Sequence, residues 1–144
     1  MAELDYVQKT TNSDCTATSA ATANVVITGN AINLDGATIV VIEYYCVTWT
    51  NLDSATVINS LELYDALDGG TAVDIGRVFD CRSIATLALN GSILAAHRRV
   101  PVAGSHVFSI RGWVGSASTF SLAADVGGVG FRMPMFVRVT DADS

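Results

Sequence analysis

Lysine occurs once in this chain of 144 residues, at Lys9, and the seven arginines are scattered apart from the adjacent pair Arg98-Arg99. With a formal net charge of −6 there is no basic face to displace counterions from phosphate, which excludes direct nucleic-acid binding. Charged residues make up only 15% of the chain, against roughly 25% in ordinary soluble domains. A surface largely covered by sister subunits would explain that deficit. The longest apolar stretch, Ala37 to Val47, is interrupted by Glu43 and falls far short of a membrane span. The opening MAELDYVQKTTNSD lacks the apolar centre of a secretion signal, so synthesis in a cytoplasm is expected. Cys15, Cys46 and Cys81 form no metal motif and no disulfide framework, and reduced, buried thiols are the expectation.

What the chain does have is β-branched and aromatic residues in short apolar segments, punctuated by turn residues. Half of its residues are hydrophobic, enough for one domain with a real core. Residues 1–24 differ. From Lys9 to Ala23 they are mostly Thr, Ser, Asn and Ala with no large apolar side chain, which reads as an extended arm that orders on a neighbour. Residues 25–144 read as the folded domain. Asn24 to Leu34 alternates, and Leu34-Asp35-Gly36 is a turn signal. Ala37 to Thr50 is the strongest strand. Strict alternation puts Val40, Ile42, Tyr44, Cys46 and Thr48 on one face, with Val41, Glu43, Tyr45, Val47 and Trp49 on the other. Ser60 to Ala66 alternates and ends at Asp68-Gly69-Gly70, Thr71 to Arg82 continues in the same style, and Ile84 to Leu89 could be a helical turn. Asn90-Gly91 is a hairpin signal, and further strands follow at Ser92 to Val100, His106 to Val114, Thr119 to Ala124 and Met135 to Thr140. About eight strands without a capped helical stripe predict an all-β, antiparallel two-sheet sandwich, a jelly roll ahead of an immunoglobulin-like alternative.

Candidate chemistry is sparse. His97, Arg98, Arg99 and His106 form the one concentration of imidazole and guanidinium, a possible ligand patch for an anion or sugar. The two histidines could approach across a hairpin, but they have no third ligand, and neither has a marked acidic partner. No metal site is expected. Glu43 and Glu62 could meet as a glycosidase pair, although Glu43 lies in an apolar run where an arginine partner fits better. No nucleophile elbow or phosphate-cradling loop occurs. No catalytic residue, cofactor or enzymatic activity is expected. Tyr45, Trp49, Trp113 and Phe136 are the aromatic side chains expected to pack between subunits.

The run from Arg99 onward, RVPVAGSHVFSIRGWVGSASTFSLAADVGGVGFRMPMFVRVTDAD, resembles the end of small phage virion proteins with a tumour-necrosis-factor- or C1q-like jelly roll. The resemblance rests on a strand after the Ala103-Gly104-Ser105-His106 turn, a Gly/Ser-rich hairpin, and the closing Pro134-Met135-Phe136-Val137-Arg138-Val139-Thr140-Asp141. Leu61-Glu62-Leu63-Tyr64-Asp65 fits an earlier strand. It implies a homotrimer on a virus particle, either a capsid decoration (cement) protein or a head or tail fibre tip. A decorating trimer bound to the major capsid protein is the favoured expectation, with Lys9, Thr10, Thr11 and Asn12 of the arm as capsid contacts. The alternative is a receptor- or carbohydrate-binding module using the His97-Arg98-Arg99 patch.

Overall fold

The structure is a computed structural model that describes residues 1–52, 58–82, 88–115 and 119–143. The described residues form eleven strands: β1 (Ala2–Lys9), β2 (Ser13–Cys15), β3 (Asn24–Thr28), β4 (Ile32–Asp35), β5 (Val40–Leu52), β6 (Ile58–Leu67), β7 (Val73–Arg82), β8 (Leu89–Arg99), β9 (Ala103–Val114), β10 (Thr119–Ala123) and β11 (Met135–Asp141). A single 3-10 turn, Ala20–Thr22, is the sole helical element among the described residues. No described helix is long and apolar enough to cross a membrane.

The strands form two antiparallel sheets. In the first, β5 is central, with β8 along one edge and β11 followed by β10 along the other; β1 pairs with β11 and β2 with β10. In the second, β9 lies between β6 and the consecutive pair β3 and β4, and β7 closes the edge beside β6. Taking β3 and β4 as one broken strand and leaving out the short β2 and β10, the first strand lies beside the last. The third lies between the last and the sixth, the second beside the seventh, and the fourth between the seventh and the fifth. That is the double Greek-key order of a jelly roll.

Alternation decides what fills the space between the sheets. Val40, Ile42 and Tyr44 of β5 and Val137 and Val139 of β11 face Leu61 and Leu63 of β6 and Phe108 and Ile110 of β9, all buried in one cluster. Each such side chain contributes about 1.5–3 kcal/mol by leaving water. The turns obey their residues. Gly36 has φ 85°, while the Asp35 carboxylate accepts from the amides of Ala37 and Thr38 at 2.8 Å. Asp68 and Gly69 take φ 50° and 72° between β6 and β7.

Three expectations change. Residues 1–24 are not a free arm: β1 lies along β11 and β2 along β10, and the 3-10 turn Ala20–Thr22 follows. The segment from Asn24 to Leu34 is two strands broken at Gly29. There the Asp5 carboxylate accepts from the Asn30 amide (2.8 Å) and side-chain nitrogen (2.9 Å), and a Cβ would stand 2.7 Å from Asp5 Oδ2. Asn90-Gly91 is not a turn. Both lie inside β8 opposite Thr50 and Trp49, and the missing side chain at Gly91 makes room for the Trp49 indole. The helical turn considered at Ile84 to Leu89 falls on residues 84–87 outside the described set, while Leu89 opens β8. Residues 116–118 of the Gly115 to Ser118 loop also lie outside it.

Candidate functional site

The outer face of the β5 sheet is a grid set by register. Across β1, β11, β5 and β8 run three rows: Glu3, Thr140, Val41, Arg98; then Tyr6, Arg138, Glu43, Ala96; then Gln8, Phe136, Tyr45, Leu94. Aromatic rings concentrate at one end. Phe136 stacks on Tyr45 with centroids 5.4 Å apart and meets Tyr6 at 5.5 Å. Leu94, opposite Tyr45, is 73% exposed and Tyr6 is 43% exposed. A hydrophobic row on a sheet surface that no described residue covers is unusual for a lone chain.

The middle row is held by an ion pair. Arg138 Nε donates to Glu43 Oε2 at 2.8 Å, and the same guanidinium lies 5.8 Å from the Phe136 ring centroid. Its hydrogen bond and charge attraction to Glu43 push Arg138 above its ordinary range. The arginine partner expected for Glu43 is therefore present. Beside the pair an open groove of about 280 Å³ is lined by Met1, Glu3, Val41, Glu43, Arg138 and Thr140. Glu62 is on the other sheet, 3.5 Å from Arg77, so the two glutamates considered as a pair do not meet.

Of the four aromatics expected between subunits, Tyr45 and Phe136 come together on this face and the tryptophans do not. A β-bulge between Cys46 and Trp49 reverses the alternation of β5 and turns Trp49 into the core. There it is 9% exposed, against Phe79 at 5.4 Å and Phe120 at 5.8 Å. Trp113 is half-buried on β9 of the opposite sheet.

The expected capsid-contact residues form the connection from β1 to β2. Lys9 Nζ donates to Ser13 Oγ and to the Val26 carbonyl (2.9 Å), and Asn12 Oδ1 accepts from the Ala124 amide at 3.0 Å. These two side chains fasten the connection to the sandwich. Thr10 is half-buried and Thr11 is exposed.

The imidazole–guanidinium patch divides. His106 belongs to the β9 sheet, 1% exposed, with Nδ1 2.9 Å from both Asp65 oxygens and Nε2 2.8 Å from the Val102 carbonyl. It does have an acidic partner, and it does not approach His97 across a hairpin because β8 and β9 belong to different sheets. His97 and Arg99 point toward the sandwich interior, whereas Arg98 is exposed on the outer face. Burial, and then the charge of Arg99, push His97 below its ordinary range. Among the described residues no group of three metal-ligating side chains converges.

Sequence reasoning missed three features. Tyr6 lies in the segment read as an arm, and its place in a strand is signalled only by the alternation of Asp5, Tyr6 and Val7. Leu94 carries no signal until β8 is paired with β5. The loop between β10 and β11 exposes Val126, Val129, Phe131 and Met133, which its glycines separate too irregularly to show as a strand or helix face. The chain matches no protein-family model and no curated protein.

Proposed function

We propose that the chain is a non-enzymatic structural protein of a phage virion, which assembles as a homotrimer through the outer face of its β1-β11-β5-β8 sheet and decorates a capsid. The observation that carries this reading is the aromatic row Tyr6, Phe136, Tyr45 with exposed Leu94 beside it. One further feature favours cyclic association. Glu3 lies at the β1 edge of this face and Arg98 at the β8 edge of the same row, so one copy's acidic edge complements the next copy's basic edge. Head-to-tail contacts of that kind close into rings where the rotation from one copy to the next closes. The low content of charged residues fits a protein that keeps much of its surface against other subunits.

The virion assignment is supported by the resemblance of residues 99–143 to phage jelly-roll proteins and by the jelly-roll strand order. In this reading Thr10 and Thr11 contact the major capsid protein, and Lys9 and Asn12 hold their connection in position. Decoration then works by mass action: a trimer that binds only the assembled shell raises the free energy needed to take the shell apart.

The test is co-sedimentation with undecorated heads of the phage that encodes the chain. Saturable binding of trimers, weakened by replacing Thr10 and Thr11 with glutamate while the native mass is unchanged, supports decoration. Absence of binding by an intact trimer removes the capsid role and leaves only self-association.

A further inference from the structure

We infer that the open groove beside the Glu43–Arg138 pair is a docking site for a guanidinium, and that its occupant is Arg98 of a second copy of this chain. The identity of the occupant rests on the self-association proposed above; the chemistry of the groove does not. Glu3, Val41, Glu43, Arg138 and Thr140 are among the walls of this space of about 280 Å³. Thr140 of β11 stands between Glu3 of β1 and Val41 of β5 in register. It is 7% exposed, and its hydroxyl oxygen is buried without a hydrogen-bond partner. A polar atom so placed costs free energy until a partner reaches it.

The groove offers acceptors. Arg138 Nε donates to Glu43 Oε2 at 2.8 Å, while Glu43 Oε1 has no partner among the described residues. Glu3 is exposed, and no described residue donates to its carboxylate. The hydrogen bond and charge of Glu43, and then the charge of Glu3, hold Arg138 above its ordinary range, so Glu3 lies close enough to act on the same space. Two carboxylates against one guanidinium leave the side chains of the groove with one negative charge in excess, which selects a cation. Separate acceptors on Glu3, Glu43 and Thr140 suit the five N–H donors that a guanidinium spreads over a planar fork, better than an ammonium with three on one nitrogen. Lys9, the only lysine, is already held by Ser13 and the Val26 carbonyl. Arg98 matches in position: it lies on the same face and in the same row, beside Val41, and it is exposed with no acceptor among the described residues. A head-to-tail contact carries the β8 edge of one copy to the β1 edge of the next, so Arg98 enters the groove past Glu3. The site is incomplete in a single chain.

The experiment is a double-mutant cycle on assembly, read by analytical ultracentrifugation over a dilution series, with circular dichroism to establish that each variant is folded. Thr140→Val removes the hydroxyl at nearly constant shape and should weaken each contact about tenfold, the size of one charge-assisted hydrogen bond. Thr140→Ser keeps the hydroxyl and should keep the assembly. Arg98→Gln should weaken each contact at least as much, and adding Thr140→Val to Arg98→Gln should bring no further loss, because the two side chains act on each other. Arg132→Gln, which removes the same charge from the loop between β10 and β11, should leave assembly unchanged. If the Thr140 and Arg98 effects multiply independently, if Thr140→Val has no effect, or if Arg132→Gln weakens assembly as much as Arg98→Gln, the inference is overturned and self-association stands. A single chain at every concentration overturns both.

Discussion

Gly112 of β9 and Cys15 of β2 meet where the two sheets touch, and neither tolerates another atom. A Cβ on Gly112 would collide with Cys15 Sγ and stand 2.8 Å from Leu61 Cδ2. Gly112→Ala is expected to destabilise the fold by about 1–3 kcal/mol through overpacking. Cys15→Ala in the same chain should recover part of that loss, and urea unfolding of the three variants measures both effects. The thiols also set a limit at high pH. Burial pushes Cys15 up from its ordinary 9.0 to about 12 and Cys81 to about 11. The unfolded chain ionises first and the folded chain keeps its protons, so the stability these groups contribute is complete below pH 9 and is lost above it. Between pH 9 and 11 unfolding free energy should fall by up to about 1.4 kcal/mol per pH unit for the buried Cys15 thiol, and by clearly less for half-buried Cys81, whose charge water screens, so Cys15→Ala should show the shallower slope. Such packing was only partly visible in the sequence. Scarce cysteine without a motif pointed to buried thiols, but the approach of Gly112 to Cys15 depends on how the two sheets are stacked.

At the scale of the element, β5 decides most of what the molecule presents. Its alternation through Val40 to Cys46 was legible because apolar residues fill every inward position, and the partner of Glu43 followed from the cost of leaving a carboxylate in an apolar strand. The bulge between Cys46 and Trp49 was not legible. Inserting an unpaired residue changes no composition, yet it moves Trp49 from the outer face to the core. Trp49→Ala should therefore cost about 3–5 kcal/mol of stability, whereas Leu94→Ala, on the exposed side, should change the stability of the single chain by no more than about 0.5 kcal/mol. Chemical denaturation of the two variants under conditions that hold the chain monomeric distinguishes core from surface. β1 escaped detection for a related reason. Its residues alternate weakly because only Asp5 is buried, held there by Asn30, and a buried aspartate looks in sequence like a solvated one.

At the scale of the whole molecule, the two sheets have different outer faces. On the β6 sheet Ser60, Glu62 and Tyr64 are buried, and Tyr64 donates to the Ala20 carbonyl at 3.0 Å. On the β5 sheet the corresponding surface carries Tyr6, Phe136, Tyr45 and Leu94 with no chain segment shown over them. The asymmetry is the basis for assigning self-association to the second face. If Glu3 of one copy meets Arg98 of the next, Arg98→Glu alone should weaken assembly, and Glu3→Arg combined with Arg98→Glu should restore it. Dilution series by analytical ultracentrifugation follow that loss and recovery.

The most direct measurement is the native mass by light scattering on a size-exclusion column, for the unaltered chain and for Leu94→Glu, which places a charge beside Tyr45. A mass near 45 kDa, about three times the 15.1 kDa chain, that falls to one chain in the variant is the predicted result. A single-chain mass for the unaltered protein, or a trimer indifferent to a glutamate at position 94, would contradict it.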